Sequence, residues 1–161
     1  MAKMEFDSIG AALVRTKNKQ WINAGDGNEF LVLRISKETG AWSALVRAKA
    51  GQVNAPHTHI GPADFYVLSG GFDYRGGSAR EGDWVYEPAG AVHEATTHPV
   101  DTVYLANVHG PVAFHDSKGG IACILDWRAV QKMVDNAQKK TKKAPARAKA
   151  TPAKRAMAKA A

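Results

Sequence analysis

The stretch GQVNAPHTHIGPADFYVLSGG, residues 51–71, sets His57 and His59 one residue apart, between Pro56 and the pair Gly61-Pro62. In an extended strand, side chains two apart share a face, so both imidazoles project into the space that the strand borders. That spacing suits chelation of a metal ion. Taken alone, it suits a polar turn equally well.

Working outward, the chain from Phe30 to Phe114 reads as short apolar runs separated by turn residues. FLVLRIS leads into KETG, then AWSALVRAKA into Gly51. FYVLS, FDYR, DWVYEP and TVYLANV follow the histidines, punctuated by Gly70-Gly71 and Gly76-Gly77. Strands of this length bounded by Gly, Pro and Asp predict an all-β antiparallel sandwich or small barrel. The exception is DWRAVQKMVDNAQKK from Asp126, where Trp127, Val130, Met133, Val134 and Ala137 form one apolar stripe at helical spacing behind an Asp N-cap. A helix there would cover one end or edge of the sheet. Before the body, DSIGAALVRTKNKQW suits a short helix or an arm.

At 161 residues the chain holds one well-buried domain with extensions. We divide it into an N-terminal arm or short helix (1–28), a β domain with its C-terminal helix (29–137) and a basic tail (138–161). The net charge is +7, but nine of the 22 basic residues lie in the acid-free tail QKKTKKAPARAKATPAKRAMAKAA. The preceding residues hold 13 bases against 15 acids, so the basicity belongs to the tail. With Met157 its single large apolar residue, the tail cannot offset the entropy of ordering and is expected to be disordered. It resembles the Lys/Ala-rich tails of histone-like proteins. It would contact polyanions or nucleic acid without reading sequence, or serve as a solubilising extension. One cysteine, Cys123, excludes an internal disulfide framework and suits a reducing cytoplasm. No apolar run approaches the ~18 residues of a membrane span, and IGAALV, preceded by Glu5 and Asp7, is too short for a secretion signal.

A second segment bears on the histidine pair. In GDWVYEPAGAVHEATT, Gly82 is followed after five residues by Pro88, then Gly90 and His93; in the first segment Gly51 is followed after five residues by His57 and His59. Both blocks resemble the two motifs of the cupin superfamily. HTHIGP, YVLSG, DWVYEPAGAVHE and the closing ILDW look like the cupin branch that contains 2,4'-dihydroxyacetophenone dioxygenase, over roughly residues 30–127, and more distantly like acetylacetone-cleaving dioxygenase. The resemblance implies a double-stranded β-helix, with a turn at Pro88–Gly90 that sends His93 into the barrel opposite His57 and His59. It implies three imidazoles on one metal, Fe(II) first, with Zn(II) or another divalent ion as the alternative. The activity implied is cleavage of a C–C bond beside a carbonyl, with a small carbonyl compound and O2 as partners and a homodimer or homotetramer as the assembly.

The chain departs from the family pattern in its acid. The glutamate that the first motif supplies seven residues before its closing glycine falls on Ala63, and Asp64 is one residue off. A one-residue offset in a strand points a side chain to the other face, so Asp64 is a ligand only if a bulge restores its direction. A site of three neutral imidazoles would leave a dication uncompensated and favour an anionic chelating substrate, such as a β-diketone enolate or a deprotonated α-hydroxyketone. Zinc in the same place would instead generate a hydroxide for hydrolysis or hydration.

His109 and His115 are read as turn or solvent histidines. Phe65 shares Ala63's face and could line the pocket. Trp42, Trp84 and Trp127 read as core or interface anchors. A metal-binding regulatory module like the cupin domain of bacterial anti-sigma factors is the second functional reading.

Overall fold

A computed structural model describes residues 5–6, 11–17, 19–25, 27–75 and 77–143, apart from the side chains of Glu5, Phe6, His93, Lys142 and Lys143. The N-terminal strands are β1 (Glu5–Phe6), β2 (Ala12–Leu13) and β3 (Ile22–Gly25). β4 (Asn28–Ile35) and β5 (Trp42–Ala48) form a hairpin, and β6 (Val53–Asn54), β7 (His57–His59), β8 (Ala63–Ser69) and β9 (Gly71–Tyr74) follow. Next come β10 (Gly77–Arg80), β11 (Trp84–Glu87), β12 (Val92–His93) and β13 (Thr96–Thr97). β14 (Thr102–Val108), β15 (Val112–His115), β16 (Ile121–Leu125) and α1 (Trp127–Lys143) are the last of the described elements.

Every ladder is antiparallel. A six-stranded sheet in the order β11-β8-β14-β5-β4-β3 and two four-stranded sheets, β12-β7-β15-β16 and β10-β9-β13-β6, surround one interior. This is the all-β double-stranded helix implied by the sequence. Burial alternates strictly along β5 and β14, so Trp42, Ala44, Val46 and Ala48 of one strand and Thr102, Tyr104, Ala106 and Val108 of the other face inward. Cross-strand register aligns those residues in rows. The row that matters below runs Glu87, Ala63, Val108, Trp42 across β11, β8, β14 and β5. Aromatic side chains fill the space between the sheets: Phe30 lies 5.6 Å from Trp42, and Phe72 lies 5.5 Å from Tyr104, centroid to centroid.

The expected helix is present and is capped as predicted. Asp126 Oδ1 accepts a hydrogen bond of 2.9 Å from the Ala129 amide, one of the donors that a helix start leaves without a partner. Val130 on its apolar stripe is fully buried, and the helix packs against β3, β4 and β16. It continues through Lys143, six residues past the boundary placed at 137, so the first part of the expected tail is helical. Its Lys-rich last turn suits the negative end of the helix dipole. The expectation of disorder for the remainder, 144–161, falls outside the described residues.

At the N-terminus, where an arm or a short helix was expected, the described residues form strands. Among the described residues of 1–28 there is no helix; β1 and β2 pair with each other, and β3 joins the edge of the large sheet beside β4. The reason is a period of two. Ile22 and Ala24 alternate with the exposed Asn23 and Gly25, and Ala24 packs on the core, so the sheet begins before residue 29. No helix among the described residues is long and apolar enough to cross a membrane.

Candidate metal centre

The segment carrying His57 and His59 is a three-residue strand gripped on both flanks. On one side β15 pairs with it, Phe114 opposite His57 and Val112 opposite His59. On the other, Pro88–Ala91 form a turn closed by the Ala91 amide on the Pro88 carbonyl at 3.1 Å, with Gly90 at φ +81°. That φ at the third position is what a type II turn requires, which explains glycine there. The turn then clamps His59: the Gly90 amide donates to the His59 carbonyl at 2.7 Å, and the His59 amide donates to the Ala91 carbonyl at 2.9 Å. A second constraint is the crossing of Gly61 over Gly110, where any Cβ on either residue would sit within 3 Å of the other's backbone. The two motifs are thus locked together through backbone contacts.

Within this frame three ligand atoms converge. His57 Nε2 and His59 Nε2 are 3.2 Å apart, and Glu87 Oε2 is 2.6 Å from His59 Nε2. The three atoms lie within 4.8 Å of one another. His59 and Glu87 are buried and His57 is half-buried. His57 Nδ1 lies 2.8 Å from the Ala55 carbonyl, a pure acceptor, which fixes the proton on Nδ1 and turns the Nε2 lone pair toward the cluster. Two imidazole nitrogens and a carboxylate oxygen at this separation fit a divalent transition metal.

The surroundings are apolar and aromatic. The His57 ring lies 5.0 Å from Phe114, and the His59 ring meets Phe65 edge-on at 6.0 Å. Phe65 therefore lines the pocket, as its strand parity implied. The Tyr74 hydroxyl hydrogen-bonds Glu87; burial, followed by the nearby Glu87 charge, pushes the Tyr74 phenol above its ordinary pKa, so it stays protonated and donates. The cavity measures about 520 Å³, within the range of small-molecule sites. Also lining the cavity, Asn28 Nδ2 donates to Asn54 Oδ1 at 2.6 Å, and Asn54 in turn hydrogen-bonds the Tyr104 hydroxyl.

The predicted site residues divide as follows. His57 and His59 come together. The backbone of His93 lies in β12, in register opposite His57, and its side chain lies outside the described residues. Asp64 points away from the cluster: its Oδ1 accepts from Asn107 at 2.9 Å, and its Oδ2 lies 3.5 Å from exposed His109. His115 is nearer the cavity than expected, lining it with Nε2 2.8 Å from Thr58 Oγ1. Trp42 is buried in the core, whereas Trp84 is 62% exposed and stacks on Tyr86.

Glu87 is the residue that sequence reasoning missed. It stands directly opposite Ala63 on the neighbouring strand, so the acid sought on β8 arrives at the same level from β11. The signal was available in WVYEP, where Val85 and Glu87 share one parity and the exposed Trp84 and Tyr86 the other.

With this geometry in hand, comparison with known proteins gives a consistent result. A family model described as the ChrR Cupin-like domain matches residues 10–113. The acetylacetone-cleaving enzyme of Acinetobacter johnsonii is 31% identical over 111 residues, covering 65% of this chain and 72% of that protein. A crystal structure of an acetylacetone dioxygenase from Acinetobacter johnsonii superposes with a TM-score of 0.73 at 24% identity, over 83% of this chain and 97% of that one. A chain of the complex between Rhodobacter sphaeroides SigE and the anti-sigma ChrR superposes with a TM-score of 0.51 at 24% identity, over 58% of this chain and 50% of that one.

Proposed function

This chain belongs to the ChrR cupin-like family, and from that premise we propose that it is a metal-dependent dioxygenase that cleaves a C–C bond beside a carbonyl in a small diketone or aromatic hydroxyketone. The observation that carries the reading is the convergence of His57, His59 and Glu87 at the wall of an apolar cavity, in a chain 31% identical to an acetylacetone-cleaving enzyme. We propose His93 as a third imidazole, because its strand runs beside His57. The resident metal is proposed to be Fe(II), which when bound supplies Lewis acidity toward the substrate oxygens and electrons for O2.

The protein's own part is to hold and to exclude. His57 is held by the Ala55 carbonyl and His59 by the Pro88–Ala91 turn, so neither ring must reorganise when substrate arrives. Phe65 and Phe114 keep water from the carbonyl end. The Glu87 carboxylate, hydrogen-bonded by the Tyr74 hydroxyl, holds its Oε2 beside His59 Nε2 as the anionic member of the set that would hold the ion.

The test is anaerobic reconstitution with Fe(II), metal analysis, and O2 uptake with a panel of β-diketones and α-hydroxyketones. One iron per chain with substrate-dependent uptake is the expected result. Tightly held zinc and no uptake would instead support a second reading, a metal-binding regulatory module, which the likeness to the ChrR complex favours. Two further proposals concern partners. Exposed Trp84 and Tyr86 on the edge strand β11 suit a homo-oligomer, and the basic residues beyond the helix suit salt-sensitive contact with polyanions in a cytoplasmic setting.

A further inference from the structure

We propose that Asn28, Asn54 and Tyr104 form a second polar pole of the cavity, distinct from His57, His59 and Glu87, and that this pole binds a hydroxyl group of the substrate. The inference rests on reading this cavity as the substrate site. All three residues line it, together with the metal-ligand set.

Placement comes from the sheet register. Glu87 belongs to the row of Ala63 and Val108, whereas Tyr104 belongs to the row of Val46 and Val67, four residues earlier on β14. At a rise of ~3.4 Å per residue the two rows stand about 13 Å apart. The row between them, Ala44, Ala106 and Phe65, is apolar. A ligand matching this cavity is polar at both ends and apolar in the middle.

The chemistry comes from one atom. Asn28 Oδ1 is buried and has no hydrogen-bond partner among the described residues, although the Nδ2 of the same amide donates to Asn54. A buried acceptor left unmet costs about 1–3 kcal/mol, so such a group in a binding cavity calls for a ligand donor. A hydroxyl meets it in either amide orientation, because it both donates and accepts. Tyr104 reinforces the selection. Its phenol is deeply buried and held protonated by that burial, so it presents a neutral hydroxyl rather than a charge that would recruit a cation.

The test is equilibrium binding of 4'-hydroxyacetophenone and acetophenone to the full chain stripped of metal, by isothermal titration calorimetry. Without metal the result is independent of any oxygen chemistry. Wild type is expected to bind the hydroxylated ketone about tenfold more tightly, the worth of one well-placed hydrogen bond. Asn28→Leu is expected to reduce that preference to within about twofold while leaving acetophenone affinity within about threefold. Should Asn28→Leu fail to fold, Asn54→Leu, which removes the oxygen that positions Asn28, should give the same loss. Equal affinities in wild type, no binding of either ketone, or a preference that survives in a folded Asn28→Leu or Asn54→Leu protein would overturn the proposal. Loss of O2 uptake with the preference intact would sink the dioxygenase reading alone.

Discussion

Two adjacent rows of the large sheet differ by one residue along each strand and by everything in chemistry. The inner row, Glu87, Ala63, Val108 and Trp42, faces the cavity, and its single polar member reaches the histidine pair. The outer row, Tyr86, Asp64, Asn107 and Ser43, faces the other way. There Asn107 links Ser43 and Asp64 by hydrogen bonds of 2.8 and 2.9 Å, which leaves the Asp64 carboxylate committed to its own surface. A ligand position is therefore a level in the barrel, which any strand crossing that level can fill. It does not have to come from a fixed offset along one strand.

The sharpest way to break the contrast is to neutralise each acid in turn. Glu87→Gln should lower kcat/KM for O2 uptake by at least about 100-fold, because it removes the anionic member of the ligand set. Asp64→Asn should stay within about threefold of wild type in the same assay. Equal losses would mean that the rows do not differ in function.

The same contrast holds for stability. Trp42 is 3% exposed on the inner row, so Trp42→Ala should cost about 3–5 kcal/mol in denaturant unfolding. Trp84, 62% exposed beside the outer row, should cost less than about 0.5 kcal/mol when replaced by Ala in a monomer. If β11 joins two copies, that variant should dissociate in sedimentation while each copy stays folded.

A smaller effect belongs to His98, buried 6.3 Å from Tyr104 in a near-parallel stack and 6.1 Å from Phe72. Burial holds its imidazole below the ordinary pKa of 6.5. The unfolded chain therefore takes up a proton that the folded chain refuses as the pH falls through that value. This contribution to stability is full above pH 6.5 and declines below it, by no more than about 1.4 kcal/mol per pH unit. Thermal unfolding of His98→Phe from pH 7.5 to 5 should show a flatter acid decline than wild type, a difference that an unchanged slope would contradict.

Much of this was legible in the sequence because it was written locally. His57 and His59 two apart in a strand, the turn residues Pro88 and Gly90, the strand runs between Gly and Pro, and the Asp126 cap all act over a few residues. Glu87 was harder to see because its role is set by pairing across strands, where β8 supplies a small alanine and β11 the acid. The N-terminal strands were hidden for a related reason. The two residues of β2 are too few to show a period, and the four of β3 carry theirs on side chains as small as Ala24 and Gly25, so docking on β4 is what identifies the strand. Asn28 and Asn54 lie 26 residues apart and meet only in the fold.

The claim on which the rest depends is that His57 and His59 on one strand and Glu87 on another grip one divalent ion. The direct measurement is the dissociation constant for Zn(II) or Co(II), by chelator competition, in wild type and in His59→Ala, Glu87→Ala, Asp64→Ala and His109→Ala. The first two variants should bind about 100-fold more weakly than wild type, and the last two should match it. Wild-type affinity in both His59→Ala and Glu87→Ala would contradict the account.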